Sequence, residues 1–532
     1  MKIVVADDMP AAALEPLAAR GWSVTHTAGR PREELLAALA DADALIVRSA
    51  TRVTADLLDA APALRIVARA GTGVDTIDVP AATARGVLVV NAPGANSVSV
   101  AELAMAMMLS LARHTPAADH AMKDGRWEKK AFAGIELRGK TLGLVGFGRI
   151  GQEVARRAQA FEMRVVAHDP FLSQEVAEEA GVELVTLDEL CRKADWISLH
   201  LPATPATRHL FDRARLEACR RGVRIINTAR GELIDPDALA DLIESGHIAG
   251  AGIDVYETEP PSDFRLPRLP QVVAAPHLGA STKEGQQAAA IDTVAAVEAF
   301  LSRGDVLNAV NLASPSKAAA AMLQPYLVVA ERLGRLAGQL ATGRIDAVGV
   351  RTYGEVADSP HPIVATSALA GLLSSILSEG VSVVNARQLA AARRIEVAET
   401  VSARPRRFVG LISLQVHTTV NGKPVTRWLE GVVAHGREPR LVLVDGIEVD
   451  APLEGTVLVV CNDDRPGVVG GVGTVLGEHG INIASLSLGR KDGVAVAVAA
   501  LDRDAALADR DALERALGAV PSINSVWIAE LS

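Results

Sequence analysis

The stretch Thr141-Leu-Gly-Leu-Val-Gly-Phe-Gly-Arg-Ile-Gly151 decides the fold of this chain. Its glycines at 146, 148 and 151 have the G-x-G-x-x-G spacing, directly after an apolar run that reads as a strand and directly before Gln152 to Phe161, which reads as a helix. In that context each glycine has its own job. Gly146 permits the tight strand-to-helix turn, Gly148 lets backbone approach a pyrophosphate, and Gly151 lets the helix pack close to the strand. The helix N-terminus then faces the phosphates. Val165-Val-Ala-His-Asp169 supplies a second strand that ends in an acid. The offset is about the twenty residues at which such a carboxylate accepts from a ribose hydroxyl. Asp169 would repel a 2′-phosphate, and Pro170-Phe-Leu-Ser173 brings no Arg to receive one, so the expected cofactor is NAD rather than NADP. The bland alternative is a glycine turn in an ordinary α/β unit with Asp169 as a cap.

The 532 residues leave room for several domains, and an apolar fraction of 49% guarantees cores. A net charge of −10 with Lys and Arg scattered argues against nucleic acid or an anionic membrane as partner. Any anionic substrate must therefore meet a local basic pocket. Cys191, Cys219 and Cys461 are far apart in sequence and lack paired spacing. That usage fits a reducing, cytoplasmic compartment. No metal motif, signal peptide or membrane span is read; the most apolar helix, Ala101 to Ala112, reads as a buried core helix.

Short β-branched runs alternate with Ala/Leu-rich amphipathic ones through the first part: Lys2 to Ala6, Ala11 to Arg20, Ala44 to Val47, Arg65 to Ala68 and Val87 to Asn91. This is the parallel α/β pattern. After a helix from Ser99 to Arg113 and the glycine fingerprint, further strands are expected at Trp196 to Leu199, Arg224 to Asn227, Ala251 to Val255 and Val272 to Ala275. A long helix, Lys283 to Leu301, leaves the second lobe and returns the chain to the first. From about Ser316 to Asp450 the pattern is mixed. Helices Ala318 to Leu340 and Ser367 to Ser378 precede a strand series from Phe408 to Asp450, with hairpin cues at Asn421-Gly422 and Asp445-Gly446. Ala451 to Gly455 reads as a linker. The tail then reads strand (Thr456 to Cys461), helix (Gly467 to His479), strand (Asn482 to Leu488), strand (Val494 to Leu501), helix (Ala508 to Leu517), strand (Ile523 to Ala529). That is a ferredoxin-like βαββαβ unit.

Three strands of the second lobe each finish in a polar residue on a loop: Arg230 after Arg224-Ile-Ile-Asn, Glu259 after Gly252-Ile-Asp-Val, and His277 after Val273-Ala-Ala-Pro. Ligands bind outside the carboxyl ends of strands in an open parallel sheet, so the three can converge on one bound cofactor. Hydride transfer from a secondary alcohol needs a group to take the hydroxyl proton, and histidine is the side chain whose protonation changes near neutrality. Glu259 would favour the imidazolium and fix the tautomer. Arg230 offers a planar fork for a carboxylate and a positive field for the developing carbonyl oxygen. Singly each has a structural reading: His277 as a helix cap, Glu259 as a loop acid, Arg230 in an ion pair.

Val-Arg48-Ser-Ala-Thr, Ala-Gly71-Thr-Gly-Val-Asp75, the glycine fingerprint, Asn-Thr-Ala-Arg230-Gly, Glu-Thr-Glu259-Pro-Pro and Pro-His277-Leu-Gly-Ala-Ser-Thr together resemble the D-2-hydroxyacid dehydrogenases. The resemblance covers essentially the whole chain and is narrower still to the long-form branch that serves serine synthesis. It implies an α/β architecture of two doubly wound lobes, a flavodoxin-like substrate lobe (1–97 with 282–306) and a Rossmann NAD lobe (98–281). A mixed α+β intervening domain (307–450) and a βαββαβ ACT domain (455–532) would follow. The implied reaction is NAD-dependent oxidation of 3-phosphoglycerate to 3-phosphohydroxypyruvate. Arg230, Glu259 and His277 would be catalytic. Arg48, Arg69, Gly73, Asn96 and Ser97 would lie at the substrate cleft. Thr72, Arg149, Ile150, Asp169, Thr228, Asp254, His277 and Ala280 would line the NAD site with Gly146, Gly148 and Gly151. A rival reading keeps the mechanism but takes another D-2-hydroxy acid such as glycerate. A different class, an NAD-sensing binding protein without turnover, stays open.

Met122-Lys-Asp-Gly-Arg-Trp-Glu-Lys-Lys130 is a basic patch. It reads either as a solvated helix end or as a source of Arg126, Trp127, Lys129 or Lys130 for the substrate phosphate of a neighbouring subunit. In the tail, Asn462-Asp-Asp-Arg-Pro-Gly467 and Gly480-Ile-Asn482-Ile resemble an ACT module that binds amino acids between subunits. Asp464 and Asn482 would be the effector-binding residues and L-serine the effector. Asn462 stands where that family often has His or Tyr. Arg387, Arg393, Arg394 and Arg440 could hold an anion or simply be solvated. Tail pairing edge to edge and lobe pairing through the Ser99 to Arg113 helix would give a homotetramer.

Overall fold

The structure, a computed structural model, describes residues 1–313, 317–358, 361–377, 380–402, 404, 407–434, 437–502 and 510–531. The first lobe is a parallel sheet of β1 (Lys2–Val5), β2 (Ser23–His26), β3 (Ala44–Val47), β4 (Ile66–Arg69) and β5 (Leu88–Val90), in the order β2-β1-β3-β4-β5. Every residue of β3 is buried, as a strand covered by helices on both faces requires. Strand order reverses between β1 and β3, so this lobe has the flavodoxin-like winding.

The second lobe is again parallel: β6 (Thr141–Val145), β7 (Arg164–His168), β8 (Glu183–Leu184), β9 (Trp196–Leu199), β10 (Arg224–Asn227), β11 (Gly250–Ile253) and β12 (Val272–Ala274), ordered β12-β11-β10-β9-β6-β7-β8. Here the reversal falls between β6 and β9, the Rossmann arrangement, and the crevice lies beyond Val145 and Leu199. The fingerprint helix runs Arg149–Ala160 and buries Gly151, Val154, Ala155 and Ala158. The helix Lys283–Arg303 returns to the first lobe, where Val294, Val297 and Leu301 join one apolar cluster with Ile3, Val5, Leu14 and Leu17. It is tied to the helix Ser97–Arg113 by a 2.7 Å hydroxyl–hydroxyl bond between Ser99 and Thr282.

The third sheet is mixed: β13 (Arg344–Gly354), β14 (Glu396–Ser402), β15 (Gly410–Val420), β16 (Lys423–Ala434), β17 (Glu438–Val444) and β18 (Ile447–Pro452), ordered β14-β13-β15-β16-β17-β18. Sequence reading missed β13 and β14: glycines blur the alternation in β13, and the edge strand β14 is almost wholly exposed and polar. Both hairpin cues are turns with two left-handed residues, Asn421-Gly422 and Asp445-Gly446. The helix expected at Ser367 to Ser378 is Ile363–Ser374; Ser378 lies outside the described residues.

The tail sheet is antiparallel: β19 (Thr456–Asp463), β20 (Ile483–Lys491), β21 (Val494–Leu501) and β22 (Ile523–Glu530), ordered β20-β21-β19-β22. With helices Val468–Glu478 and Arg510–Gly518 it is the expected βαββαβ unit, although Ala508, the expected start of the second helix, lies outside the described residues. One sheet face packs Leu458 and Val460 on Leu476, Leu513 and Leu517 of those helices. The other face buries Val457, Val459, Val496 and Val498 against Ile447, Val449, Ala451 and Leu453. The expected linker at 451–455 is thus corrected: Ala451 and Pro452 pair with β17, and Leu453 is fully buried. Burial of those aliphatic side chains, worth about 1.5–3 kcal/mol each, makes the segment structural.

Candidate active site

β10, β11 and β12 are adjacent in the sheet, so the loops bearing Arg230, Glu259 and His277 share one rim. Asn227, buried at the end of β10, donates from Nδ2 to Arg230 O (2.8 Å) and accepts from Ala229 N (3.1 Å). The turn this makes sends Arg230 across to the first lobe. There its Nη2 lies 3.0 Å from Asp75 Oδ2. A Cβ on Gly73 would come within 2.1 Å of that nitrogen, so the close approach needs glycine.

Beyond β11, fully buried Asp254 accepts from Leu278 N (2.7 Å) and Gly279 N (2.8 Å), and its carbonyl accepts from His277 N (2.8 Å). Burial raises its carboxyl above the ordinary range, against the two amide bonds that favour the anion. Both oxygens are therefore taken up in holding the His277 loop. That hold keeps His277 at φ +53°, a conformation a side chain disfavours. Its Nδ1 donates to Glu259 Oε2 at 2.6 Å, while Glu259 Oε1 accepts from Tyr256 N at 3.1 Å. An ionised carboxylate only accepts, so Nδ1 carries the proton and Nε2 is the basic nitrogen. The His277 and Glu259 side chains stay 48% and 38% exposed, open to a ligand.

At the order reversal of the first lobe, buried Asp7 accepts from Arg48 N and Thr51 Oγ1, each at 2.5 Å. Arg48 Nη1 donates to Asp8 O at 2.8 Å, and Arg69 Nε to Arg48 O at 3.2 Å. Burial lowers the Arg69 guanidinium; the charges of Arg230 and Arg48 press the same way, and Asp75 and Asp7 oppose them. Arg48, Arg69 and Arg230 therefore share one electrostatic neighbourhood. Thr72 Oγ1 donates to Asn96 Oδ1 (2.8 Å). Buried Ser97 bonds through its backbone N to Gly94 O (3.1 Å). Arg149 Cδ would be 2.9 Å from a Cβ on Gly94, so the fingerprint helix starts against this same loop.

The residues at the crevice fit a dinucleotide. Gly146 has φ +94°, and a Cβ there would meet His200 O at 2.6 Å; no atom lies within 4 Å of one on Gly148; one on Gly151 would meet Gly146 O at 2.4 Å. Asp169 is seated at the mouth of the turn, accepting from Phe147 N and Phe171 N at 2.9 Å each. Thr228 Oγ1, at the end of β10, is buried without a protein partner. Ile150, half-buried at the start of the helix, touches the core on one side, and Ala280 lies exposed beyond Gly279. His200, which sequence reading did not single out, follows β9 at the reversal point. It shares a 2.9 Å bond with Ser198 Oγ, its Nδ1 is buried and unpartnered, and burial lowers its pKa to about 4. Its position directly after a strand of the second lobe was the available signal.

Other expected residues are scattered. Arg126 is engaged by Glu128 (2.8 Å) and Asp124 (3.2 Å), while Trp127 is 79% exposed beside exposed Lys129 and Lys130. Arg387 bonds Thr366 Oγ1 and Glu399, Arg440 bonds Asp450, and Arg393 bonds Leu389 O. Arg394 stands in a left-handed turn at φ +58°. In the tail, Asp464 lies beside Arg490 (3.4 Å) at one end of β20, while Asn482 precedes the other end. Nine residues of strand, about 30 Å at about 3.3 Å each, separate them within one chain. Cys191 and Cys219, far apart in sequence, are buried in one apolar cluster of the second lobe. Among the described residues no helix is long and apolar enough to cross a membrane.

The family profile described as D-isomer specific 2-hydroxyacid dehydrogenase, NAD binding domain, matches residues 105–279. The D-3-phosphoglycerate dehydrogenase intervening domain matches 322–445, and the ACT domain 456–518. Among solved structures, a glyoxylate reductase from Paecilomyes thermophila is similar at TM-score 0.55 and 31% identity, over 58% of this chain and 98% of that one. An NAD-dependent formate dehydrogenase from Staphylococcus aureus in complex with NAD is similar at TM-score 0.53 and 29% identity, over 59% and 100%. The D-3-phosphoglycerate dehydrogenase of Methanocaldococcus jannaschii is 40% identical over 100% of both chains. That of Bacillus subtilis is 39% identical over 92% of each. The chain belongs to the D-3-phosphoglycerate dehydrogenase family, whose members are NAD-dependent enzymes.

Proposed function

We propose that this chain oxidises 3-phospho-D-glycerate to 3-phosphohydroxypyruvate, the first step of L-serine synthesis, in the cytoplasm. The observation that carries the reading is the 2.6 Å His277–Glu259 pair on the rim that Arg230 leaves toward Asp75. NAD, when bound at the glycine turn, supplies the hydride acceptor. Arg230, with Arg48 and Arg69 near it, receives the substrate carboxylate and offsets charge developing on the C2 oxygen. His277 Nε2 takes the C2 hydroxyl proton as the carbonyl forms. Glu259 fixes the ring through Nδ1 and balances the imidazolium. Asp254 positions the loop from behind. Thr72, Asn96 and Ser97 line the inner wall of the cleft, and Thr228, Asp169, Arg149, Ile150 and Ala280 the dinucleotide side. Lys129 and Lys130, carried beside Trp127, reach the substrate phosphate of a second subunit.

In the same reading residues 1–97 with 282–306 are the substrate domain, 98–281 the NAD domain, 307–450 the intervening domain and 455–532 the effector domain. The assembly is a homotetramer joined by lobe and tail contacts. Tail sheets pair through β20, which has no strand on its outer side among the described residues. The effector is L-serine. Asp464 and Asn482 being a strand length apart, a ligand touching both lies between two chains. The decisive assay follows NADH absorbance over a panel of D-2-hydroxy acids. Turnover of unphosphorylated glycerate equal to that of 3-phosphoglycerate would overturn the substrate assignment. Inhibition by millimolar L-serine that Asp464→Ala and Asn482→Ala each abolish is the expected regulatory result; indifference of the intact protein to serine would refute it.

A further inference from the structure

The chain has three cysteines in 532 residues, yet two of them meet. Cys191 lies in the helix Leu187–Lys193 and Cys219 caps the helix Arg213–Ala218; they are 1% and 3% exposed and belong to one apolar cluster. Their backbones are joined beside the thiols, since Arg220 N donates to Cys191 O at 2.9 Å, which brings residues 191 and 219 into neighbouring positions on the two helices. The charge of Arg215 favours the Cys191 thiolate, and that guanidinium is held at 2.9 Å by Asp188. Cys219 Sγ, in contrast, faces a carbonyl, Arg215 O at 3.3 Å. Interaction with Cys219, and then the charge of Arg215, draw the Cys191 thiol below its usual range, while interaction with Cys191 and burial raise Cys219; the nearby guanidinium is what makes Cys191 the attacking thiol.

We propose that Cys191 and Cys219 are a modification site, a dithiol that small hydroperoxides convert into an intramolecular disulfide. The Cys191 thiolate attacks the hydroperoxide: an S–O bond forms, the O–O bond breaks, and the alkoxide or hydroxide leaves with a proton as alcohol or water. Cys219 sulfur then attacks the sulfenic sulfur, an S–S bond forms, and water leaves with the Cys219 proton. The two thiols lose two electrons and the peroxide gains them; a dithiol reductant reverses the change. Burial keeps bulky reagents out, so only a small oxidant is a candidate. The disulfide ties the lead-in of β9 to that of β10, leaves the rim at Arg230 where it is, and spares Cys191 from further oxidation.

The test treats the full-length protein with hydrogen peroxide and counts thiols after quenching. The expected result is a fall from three free thiols to one, a 191–219 cross-linked peptide that dithiothreitol reverses, and retained dehydrogenase turnover. In Cys219→Ser, a sulfenic acid at Cys191 is expected, trapped by dimedone when the peroxide-treated protein is unfolded; in Cys191→Ser, Cys219 stays unlabelled. Three thiols persisting under conditions that oxidise glutathione would overturn the proposal. So would a cross-link to Cys461, or turnover lost in step with the cross-link. The thiol count on the unmodified sequence decides the matter even if a serine variant fails to fold.

Discussion

His200 gives a direct way to read the electrostatics of the crevice. Half-buried at the end of β9, with its Nδ1 buried and unpartnered, it has a pKa lowered from 6.5 to about 4. That gap corresponds to roughly 3–4 kcal/mol, at about 1.4 kcal/mol per pH unit. The unfolded chain takes up a proton at this site near pH 6.5, and the folded one only near pH 4. Stability from the site is therefore intact above pH 6.5, is lost as pH falls toward 4, and is flat below that. Between pH 7.5 and 4.5 the loss is roughly 2–3 kcal/mol. His200→Gln keeps an amide for Ser198 and cannot take the proton. Urea unfolding followed by Trp196 emission, with the other tryptophans replaced by Phe, reports on this lobe because Trp196 is fully buried on the same strand. All other titrations are common to both proteins. The His200 protein should lose roughly 2–3 kcal/mol more than the Gln variant over that interval. Equal losses would show that the site is already wet or partnered, and would refute the account.

Gly148→Ala should leave thermal stability unchanged and weaken NADH binding at least tenfold, since its Cβ meets nothing in the protein; calorimetry separates this from Gly151→Ala. The latter sets a methyl 2.4 Å from Gly146 O and should cost about 1–3 kcal/mol of stability; a fully stable Gly151→Ala protein would contradict the packing. His277→Ala should lose about 10²-fold or more in kcat with NADH affinity kept, and unchanged steady-state turnover would remove it from proton transfer. Asp254→Asn loses one acceptor for the amides of Leu278 and Gly279. It should lower kcat more than it raises the NADH Kd, with about 1–3 kcal/mol of local stability lost; native-like amide exchange at 277–279 would exclude that role.

Much of this was legible because local chemistry and global fold agree. Three glycines at fixed spacing specify a turn, an open approach and a close contact, and the β/α alternation around them specifies two parallel sheets. The three left-handed turns at 421–422, 445–446 and 492–493 follow from Asn-Gly and Asp-Gly alone. What stayed hidden depends on neighbours remote in sequence. Nothing local marks Ala451 to Leu453 as strand and core rather than linker, because their burial is supplied by β17 and the tail sheet. Asp254 looks like one more acid after a strand until both its oxygens are found spent on 278–279. Cys191 and Cys219 meet only because two helices of the second lobe lie side by side. Arg230 reads as a ligand-binding cation, and its reach to Asp75 in the other lobe is a product of tertiary arrangement.

The placement of Asp464 and Asn482 at opposite ends of β20 has a bearing on how such a tail would respond in a cell. If the amino acid is held between two tails, there is nothing complete for it to occupy on a lone chain, and dilution becomes a control input. Below the concentration at which tails pair, the protein would be deaf to the metabolite at any level. Above it, each bound molecule adds RT ln(1 + [L]/Kd) to the stability of the pair, about 2.7 kcal/mol at a hundredfold excess over Kd. The signal and the protein's own abundance would then be read as one quantity.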